Sequence, residues 1–513
     1  MSPFISKMKL RILSRRIKGF WEEYRRNKIG LVGMAIILMF VIAGILAPII
    51  APYTPQDSNL AAAIAIPEWL KVFPQYSDLP STYKSEINFT AEETNNFINV
   101  TFKDHDPEIY KFLKKSAIRM WTVTYQGNNK DPLEVKLFWN FTYSYQPPPV
   151  IGYSFRWRAI NLSNIEYNLE LCLVRWGNES AEYSLWDSNM GVASPLRNLK
   201  YRSTVVSFPK PPVEPYVYSN HNSSLARLGA QLGLYGNITS QSILKIMFSE
   251  KGEYGLVMHI RLKPKSTNAK CEISIIDPEF VWLGSVHGIL GTDNDGGDVF
   301  SKLIYGIQVS LSIGLMVALI STAIGTLVGV TSGYLGGLID EASMRIVDLL
   351  LCLPVLPLLI TFTVMFGRQL YLIMLFLVFL SWMGLSRAIR AQVLSMREMA
   401  FVESAIASGA SKGYLLLRHI IPNIMPLAFT SMMLFIPGAV LAEATLSFLG
   451  FGDPTLMTWG RMINTAYAQG AFPRLAWWWI FSPAVAIMLL CAGFVFMSHA
   501  LDQILNPRLR RRR

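Results

Sequence analysis

The chain has 513 residues, 51% of them hydrophobic and only 16% charged, with a formal net charge of +12. That is too apolar for an ordinary soluble enzyme of this length. The basic charge is crowded at the two ends, which argues against a nucleic-acid-binding face and leaves a basic tail on RNA or anionic lipid as the weaker alternative.

Residues 1–28 form a basic segment that carries Lys7, Lys9, Arg11, Arg15, Arg16, Lys18, Arg25, Arg26 and Lys28. A bilayer core needs about 20 apolar residues per helix. Six runs qualify: Ile29–Ala51, Gln308–Ser332, Leu349–Gly367, Gln369–Ser386, Ile420–Ala442 and Leu475–Ser498. The first is longer than a signal-peptide core and is followed by no clear A-x-A site, so it is read as an uncleaved helix. The uncharged stretch Leu303–Ile339 exceeds one span, and its start, before Gln308, is expected to lie on the membrane surface. The tail 499–513 ends in Arg508, Arg510, Arg511, Arg512 and Arg513. Lys and Arg collect on cytoplasmic flanks, and an even number of spans returns the chain to its starting side. The expectation is a multi-pass protein of the cell membrane with both termini cytoplasmic.

Residues 52–286, between the first two spans, are then exofacial, and their texture is that of a β-rich domain. Phe97–Phe102, Ile118–Tyr125, Glu134–Tyr143, Tyr153–Ile160, Tyr167–Arg175, Ser203–Phe208, Leu244–Phe248, Gly255–Leu262 and Cys271–Ile276 read as strands separated by turn residues, which points to a sandwich or barrel. The N-x-S/T pattern occurs seven times, at Asn88, Asn99, Asn140, Asn161, Asn178, Asn222 and Asn237, all inside this segment. These are candidate glycan acceptors, and their clustering supports an exofacial placement. Of four cysteines, Cys172 and Cys271 lie in the segment and are a candidate disulfide. No Cys/His cluster has metal-ligand spacing, so no metal is expected.

Residues 287–513 are mostly membrane helices with short links. The exception is a loop over 387–421, placed inside by counting spans. Within it, Glu403-Ser404-Ala405 begins a short helix of small side chains, Gly409 and Gly413 allow sharp turns, Tyr414–Arg418 resumes a helix, and Pro422 opens the next span. A short rigid helix with a small-residue face suits a groove in a soluble partner.

Here the sequence resembles a known family. Glu-Ser-Ala, Gly409 four residues after Ala405, and Pro422 thirteen further on are similar to the EAA loop of ABC importer permeases, with Ser404 where Ala is usual. Phe20-Trp21, Arg25-Arg26-Asn27-Lys28, Leu290-Gly291-Thr292-Asp293, Leu303-Ile304-Tyr305-Gly306, Glu443-Ala444 with Leu446-Ser447-Phe448-Leu449-Gly450, and Asn506-Pro507-Arg508 extend the resemblance to the dipeptide/oligopeptide permeases, specifically the second permease subunit. It covers roughly 15–57 and 287–513. The resemblance implies the six-transmembrane-helix permease fold, here with a β-rich exofacial insert between the first and second helices. It implies four kinds of partner: a second permease subunit, two cytoplasmic ATPases, an extracytoplasmic binding protein and membrane lipid, with no nucleic acid. ATP and Mg²⁺ belong to the ATPases, so this chain has no cofactor of its own. Glu403, Ser404, Ala405, Gly409, Gly413 and Pro422 would form the coupling contact. The chain departs from the family at Gly297, where Arg is usual, in the loop after Gly450, and in the length of the insert, whose expected role is docking the binding protein rather than binding substrate or shielding the outer mouth.

Other features have local readings. No G-x-x-x-x-G-K-S/T phosphate loop is present. Gly325, Gly329 and Gly333 fall on one helix face and permit close helix packing, within the chain or against the second permease. Glu443, just past the fifth run, is a candidate pathway or gating acid. Asp293, Asp295 and Asp298 miss a calcium loop because Gly297 occupies the third ligand position. Asp340, Glu341, Arg345 and Asp348 permit pairs along one helix. An ion-gradient transporter would need acids within its spans and no coupling loop, and a receptor would need neither six spans nor that loop.

Overall fold

A computed structural model describes residues 19, 21–92, 98–103, 119–127, 130–177, 180–188, 202–205, 217–218, 222–234 and 239–505. Their contacts group into two units, Gln56–Asp298 and the remainder. The basic runs at 1–18 and 508–513 lie outside the described residues.

The first helix, α1 (Lys28–Ile45), starts where the Asn27 side chain accepts from the Gly30 N–H at 3.0 Å. It stops short of the expected Ala51. Pro48 cannot continue the ladder, and a separate turn, Ala47–Ile50, follows.

The inserted unit is built from antiparallel strands. They are β1 (Tyr83–Glu86), β2 (Thr90–Ala91), β3 (Ile98–Lys103), β4 (Met120–Gly127), β5 (Leu133–Tyr143), β6 (Val150–Ser163), β7 (Ile165–Arg175), β8 (Ala181–Asp187), β9 (Arg202–Val205), β10 (Val217–Tyr218), β11 (Gly252–Pro264) and β12 (Ala269–Leu283), with helices α2 (Asn222–Gln231) and α3 (Ser240–Met247) before β11. One sheet runs β10-β6-β12-β4-β3, with β1 on β12 and β9 on β6; the other runs β2-β5-β11-β7-β8. Side chains alternate across each strand. Leu133, Val135 and Leu137 of β5, Leu169, Leu171 and Leu173 of β7, and Val123, Ile273 and Ile275 of the other sheet meet in one core. Each fully buried aliphatic side chain contributes about 1.5–3 kcal/mol relative to exposure.

Two expectations fail in this unit. Leu244–Phe248 is not a strand. Ile243, Leu244, Met247 and Phe248 repeat at helical spacing and are all buried, and Thr239 with Ser242 forms a capping box at the start of α3. Cys172 and Cys271 are both free. Cys271 points into the shared core from β12. Cys172, one residue out of phase with Leu171 and Leu173, points to the opposite face of β7 in a small cluster with Val174 and Val257. No bond links them, because a whole sheet separates their side chains.

The loop before the second span belongs to this unit. Thr292 Oγ1 donates to Ala62 O and accepts from Ala65 N, both at 2.7 Å. Asp293 Oδ1 accepts from the N–H groups of Asp295 and Gly297, at 3.0 and 2.9 Å, which fixes the loop with one carboxylate.

The second unit continues with α4 (Val299–Leu335), α5 (Gly337–Leu351), α6 (Val355–Phe366), α7 (Leu370–Ser381), α8 (Met383–Arg397), α9 (Ala400–Ala407), α10 (Lys412–Leu415), α11 (Ile421–Phe448), α12 (Trp459–Ala468) and α13 (Trp477–Leu505). Among the described residues five helical stretches are long and apolar enough to cross a membrane, or six if α5 and α6, bent by 85°, count as one span. The expected single run Leu349–Gly367 is therefore broken, at Cys352-Leu353-Pro354. Proline lacks the donor and pushes Leu353 away from helical geometry. The start of the second run is not a separate surface helix, since α4 is continuous over 37 residues. The fourth span runs on to Arg397, and α11 extends past Ala442 to Phe448, so that Glu443 lies inside the helix.

Candidate functional site

The stretch between α8 and α11 holds most of the residues that the sequence singles out. Helix α8 ends at Arg397, and Met399 opens α9 with extended backbone. Glu403 falls in the first turn of α9, where a carboxylate complements the helix dipole. Ser404 and Ser408 donate back to Ala400 O and Ser404 O, each at 2.8 Å, which engages their hydroxyls within the helix and leaves its surface without free donors there.

Gly409 ends α9 with φ +78°. Its N–H donates to Ile406 O at 2.9 Å and that of Ala410 to Ala405 O at 3.1 Å, the paired bonds of a Schellman termination. This position needs a residue free of a Cβ penalty. Ser411 then caps α10 by accepting from Tyr414 N at 3.4 Å. Gly413, expected at a turn, lies within α10 and has no positive φ. A π-helical turn, Leu416–Ile420, leads into α11, with Pro422 in the first turn, where its missing N–H costs little.

The His419 ring ties the segment together, with centroids 5.7 Å from Tyr414 and 6.3 Å from Phe401. Val402, Leu415 and Ile420 are buried and anchor it. Three large apolar side chains of the segment are nonetheless open: Ile406 is 54% exposed, Tyr414 54% and Leu417 72%. Tyr414 and Leu417 stand at the start of the apolar stretch Lys412–Phe448, whereas Ile406, on α9, lies outside the span candidates, where an exposed large apolar side chain suits a protein contact.

Helix α8, which carries this segment, is held to two neighbours. A Cβ built on Gly325, Gly329 or Gly333 of α4 would lie 2.8, 2.6 or 2.9 Å from the carbonyl oxygens of Trp382, Ser386 and Arg390. The three glycines therefore meet α8 of the same chain. Asp340 and Asp348 of α5 do not support their own helix, as the spacing suggests; they pair across to α8. Arg390 grips Asp340 through Nε–Oδ1 at 2.5 Å and Nη2–Oδ2 at 2.6 Å, Ser332 Oγ adds 2.5 Å to Oδ1, and Arg387 pairs with Asp348. The signal for this clamp was present in the sequence as opposite charges on two apolar-flanked helices, but nothing there fixed which helices meet.

Glu443 stands near the other end of α11. It is buried, with Ser447 Oγ donating to its Oε1 at 2.6 Å. Of the sequons, Asn88, Asn99 and Asn140 are exposed. Asn88 Oδ1 accepts from Arg119 at 2.9 Å and Asn140 Oδ1 from Trp176 at 3.1 Å. Asn99 and Asn140 sit on strands rather than loops. Asn178 and Asn237, and the side chains of Asn161 and Asn222, lie outside the described residues.

Two family profiles match. One, described as "Binding-protein-dependent transport system inner membrane component", covers residues 325–511, and another, "N-terminal TM domain of oligopeptide transport permease C", covers 16–67. The dipeptide transport system permease protein of Bacillus subtilis is 36% identical over 225 residues, 43% of this chain and 69% of that protein. The oligopeptide transport system permease protein of Haemophilus influenzae is 35% identical over 219 residues, 42% of this chain and 70% of that protein. A putative peptide transport system permease protein of Brucella suis biovar 1 is 33% identical over 257 residues, 50% and 85% of the two chains. The profile matches leave out residues 68–324, which contain all the strands.

Proposed function

The chain belongs to the membrane permeases of binding-protein-dependent peptide importers, and we propose from that premise that α9 and α10 are where it receives the drive of a separate ATPase. Members of this family are permease subunits of ABC importers for peptides, not enzymes. ATP is then hydrolysed on another chain, and this one supplies part of a pathway for peptides or similar small solutes.

The observation that carries the proposal is exposed Ile406 on a short helix outside the span candidates, followed by exposed Tyr414 and Leu417, on a segment braced by buried Val402, Leu415 and Ile420. An exposed large apolar side chain outside the spans favours a covering partner, and rigid attachment to α8 and α11 is what a coupling element needs. Glu403, Ser404, Ala405 and Gly409 form its helix and stop, Gly413 lies on α10 with open space where a Cβ would stand, and Pro422 falls in the first turn of α11. Two ATPases, a second permease subunit and an extracytoplasmic binding protein complete the proposed assembly.

The orientation follows from counting the bent pair α5–α6 as one span. An even count of six supports both termini and this segment sharing one side, and the basic ends favour the cytosol for it, which leaves residues 52–286 outside, where the insert would dock the binding protein. The test uses single cysteine substitutions at Ala405 and at Asn99 in proteoliposomes with the ATPases. Ala405→Cys is expected to cross-link to an ATPase and to be shielded from an impermeant reagent outside, while Asn99→Cys labels from outside. Labelling of the Ala405→Cys variant from the exterior, or transport with no ATPase bound, overturns the reading.

A further inference from the structure

No metal-ligand spacing is visible along the chain, yet the register of the five-stranded sheet brings a thiol, an imidazole and a carboxylate together on its outer face. Cys172 of β7 pairs with Val257 of β11 and Ser184 of β8, and His259 pairs with Glu170 two residues along. On one face Cys172 and His259 are therefore diagonal neighbours on adjacent strands. Glu182, on the edge strand β8, leans over Cys172 from the other side. A register shift between Leu171 and Cys172 sets β8 in that position. One ligand atom from each of the three residues lies within 4.8 Å of the other two.

We propose that Cys172, Glu182 and His259 form a binding site for a divalent cation of the zinc class, with a fourth position left to water or a partner's ligand. Tetrahedral zinc at about 2.0–2.3 Å from its donors spaces them roughly 3.5 Å apart, and Cys, His and carboxylate oxygen are its usual donors. Closing the site asks for a small rotation of Glu182, whose side chain is 49% exposed. Cys172 and His259 are already fixed by the sheet.

Three further features point to a cation. His259 has a buried side chain whose Nε2 lies 2.6 Å from Glu182 Oε1, so imidazole and carboxylate already face one point beside Cys172. Its Nδ1 lies 3.0 Å from Glu134 Oε1, the carboxylate–histidine arrangement that turns the opposite ring nitrogen toward a metal. The remaining charges are already used. Arg261 bonds Glu134 at 2.9 Å and Glu170 at 2.8 Å, and Ser184 donates to Glu170. Lys136, the other cross-strand partner of His259, stands on β5, beyond the site. Glu182 is thus the carboxylate left to face Cys172 and His259. A thiolate, a carboxylate and a neutral imidazole together balance a divalent charge. Without a cation, burial first, and then the charges of Glu170 and Glu182, hold the Cys172 thiol protonated. A bound ion would join edge strand β8 to β11 across β7.

The test uses the full chain in detergent, stripped with chelator and titrated with Co²⁺. One equivalent is expected, with a thiolate-to-cobalt charge-transfer band in the near ultraviolet that Zn²⁺ displaces. C172S and H259Q are expected to abolish the band, and C271S, whose thiol lies in the core, to keep it. E134Q is expected to weaken binding by about 10–100-fold while leaving the band in place at saturation. Zn²⁺ should raise the thermal midpoint of the wild type and not of C172S. Should H259Q fail to fold, E182Q, at a half-exposed position, is read instead and should bind more weakly. Absence of the band in the wild type, or its persistence in C172S, overturns the site.

Discussion

Replacing Gly325, Gly329 and Gly333 together by alanine puts three methyl groups into the seam between α4 and α8. Each new Cβ would meet a carbonyl oxygen, at 2.8, 2.6 and 2.9 Å, where van der Waals contact begins near 3.4 Å. The helices must part by several tenths of an ångström along the whole seam. Overpacking of this kind costs about 1–3 kcal/mol at a single site. Helix propensity returns roughly 0.5–1 kcal/mol per glycine removed. The three sites share part of one displacement, so the strain adds only partly, to about 3–6 kcal/mol; against roughly 1.5–3 kcal/mol returned by three alanines, the net loss should be about 1–3 kcal/mol. Gly438 of α11 supplies the control, because its Cβ would meet nothing within 4 Å, and Gly438→Ala should be neutral or stabilising by up to about 1 kcal/mol. The assay is thermal or SDS unfolding of the isolated chain in detergent, followed by circular dichroism. A triple variant as stable as the wild type, yet unable to join the second permease, would mean that the seam is an interface between subunits and that the packing argument is wrong.

Glu403→Lys and Gly409→Asp should each abolish ATP-driven uptake in proteoliposomes while leaving membrane insertion intact; full uptake in either variant removes the coupling role. Asp340→Ala and Arg390→Ala should couple in a double-mutant cycle by about 1–3 kcal/mol in unfolding experiments, because the pair is bidentate and partly buried; additivity would dissolve the clamp. Non-reducing mass analysis of the unfolded chain should find four alkylatable thiols, the full cysteine count, even after folding under oxidising conditions. Removing residues 86–280 should spare pull-down of the ATPases, since Lys84 and Val281 are paired neighbours on β1 and β12 and a two-residue turn can rejoin the stubs; loss of pull-down would make the insert structural for the whole subunit.

What the sequence made legible was whatever a short window carries. Six apolar runs, the strand texture of residues 119–175 and the Glu403–Gly409 helix and stop are all readable from periodicity and turn chemistry. Leu244–Phe248 reads as a strand because its residue types favour strands, while the helical repeat of Ile243, Leu244, Met247 and Phe248 and the Thr239 cap lie partly outside that short run. The disulfide expectation failed for a reason of phase. A side chain's face is set by its strand neighbours, and Cys172 alternates with Leu171 and Leu173 rather than joining them. Pairings over long separations were invisible for the same reason that metal-ligand spacing was. Asp340 with Arg390, and Cys172 with His259, come together through helix packing and sheet register, which no spacing rule encodes.

These long-range pairings bear on how a push at α9 would travel. Only Glu398 and Met399 separate α9 from α8, so the two helices have little slack between them. Helix α8 is in turn pressed against the glycine face of α4 and clamped to α5 through Asp340 and Asp348. A displacement of α9 therefore has two outcomes. Either α4, α5 and α8 move as one body, or the bidentate pair at 2.5 and 2.6 Å must break. Breaking a partly buried, hydrogen-bonded charge pair costs more than sliding apolar helices past lipid, which offers no competing partner for the charges. The first outcome is favoured. On that reasoning α4, α5 and α8 would move together, with α11 packed on α8 through Ile424 and Ala428 and on α4 at Gly314, and the point of least resistance is the 85° bend between α5 and α6, where Pro354 has already removed helical hydrogen bonding.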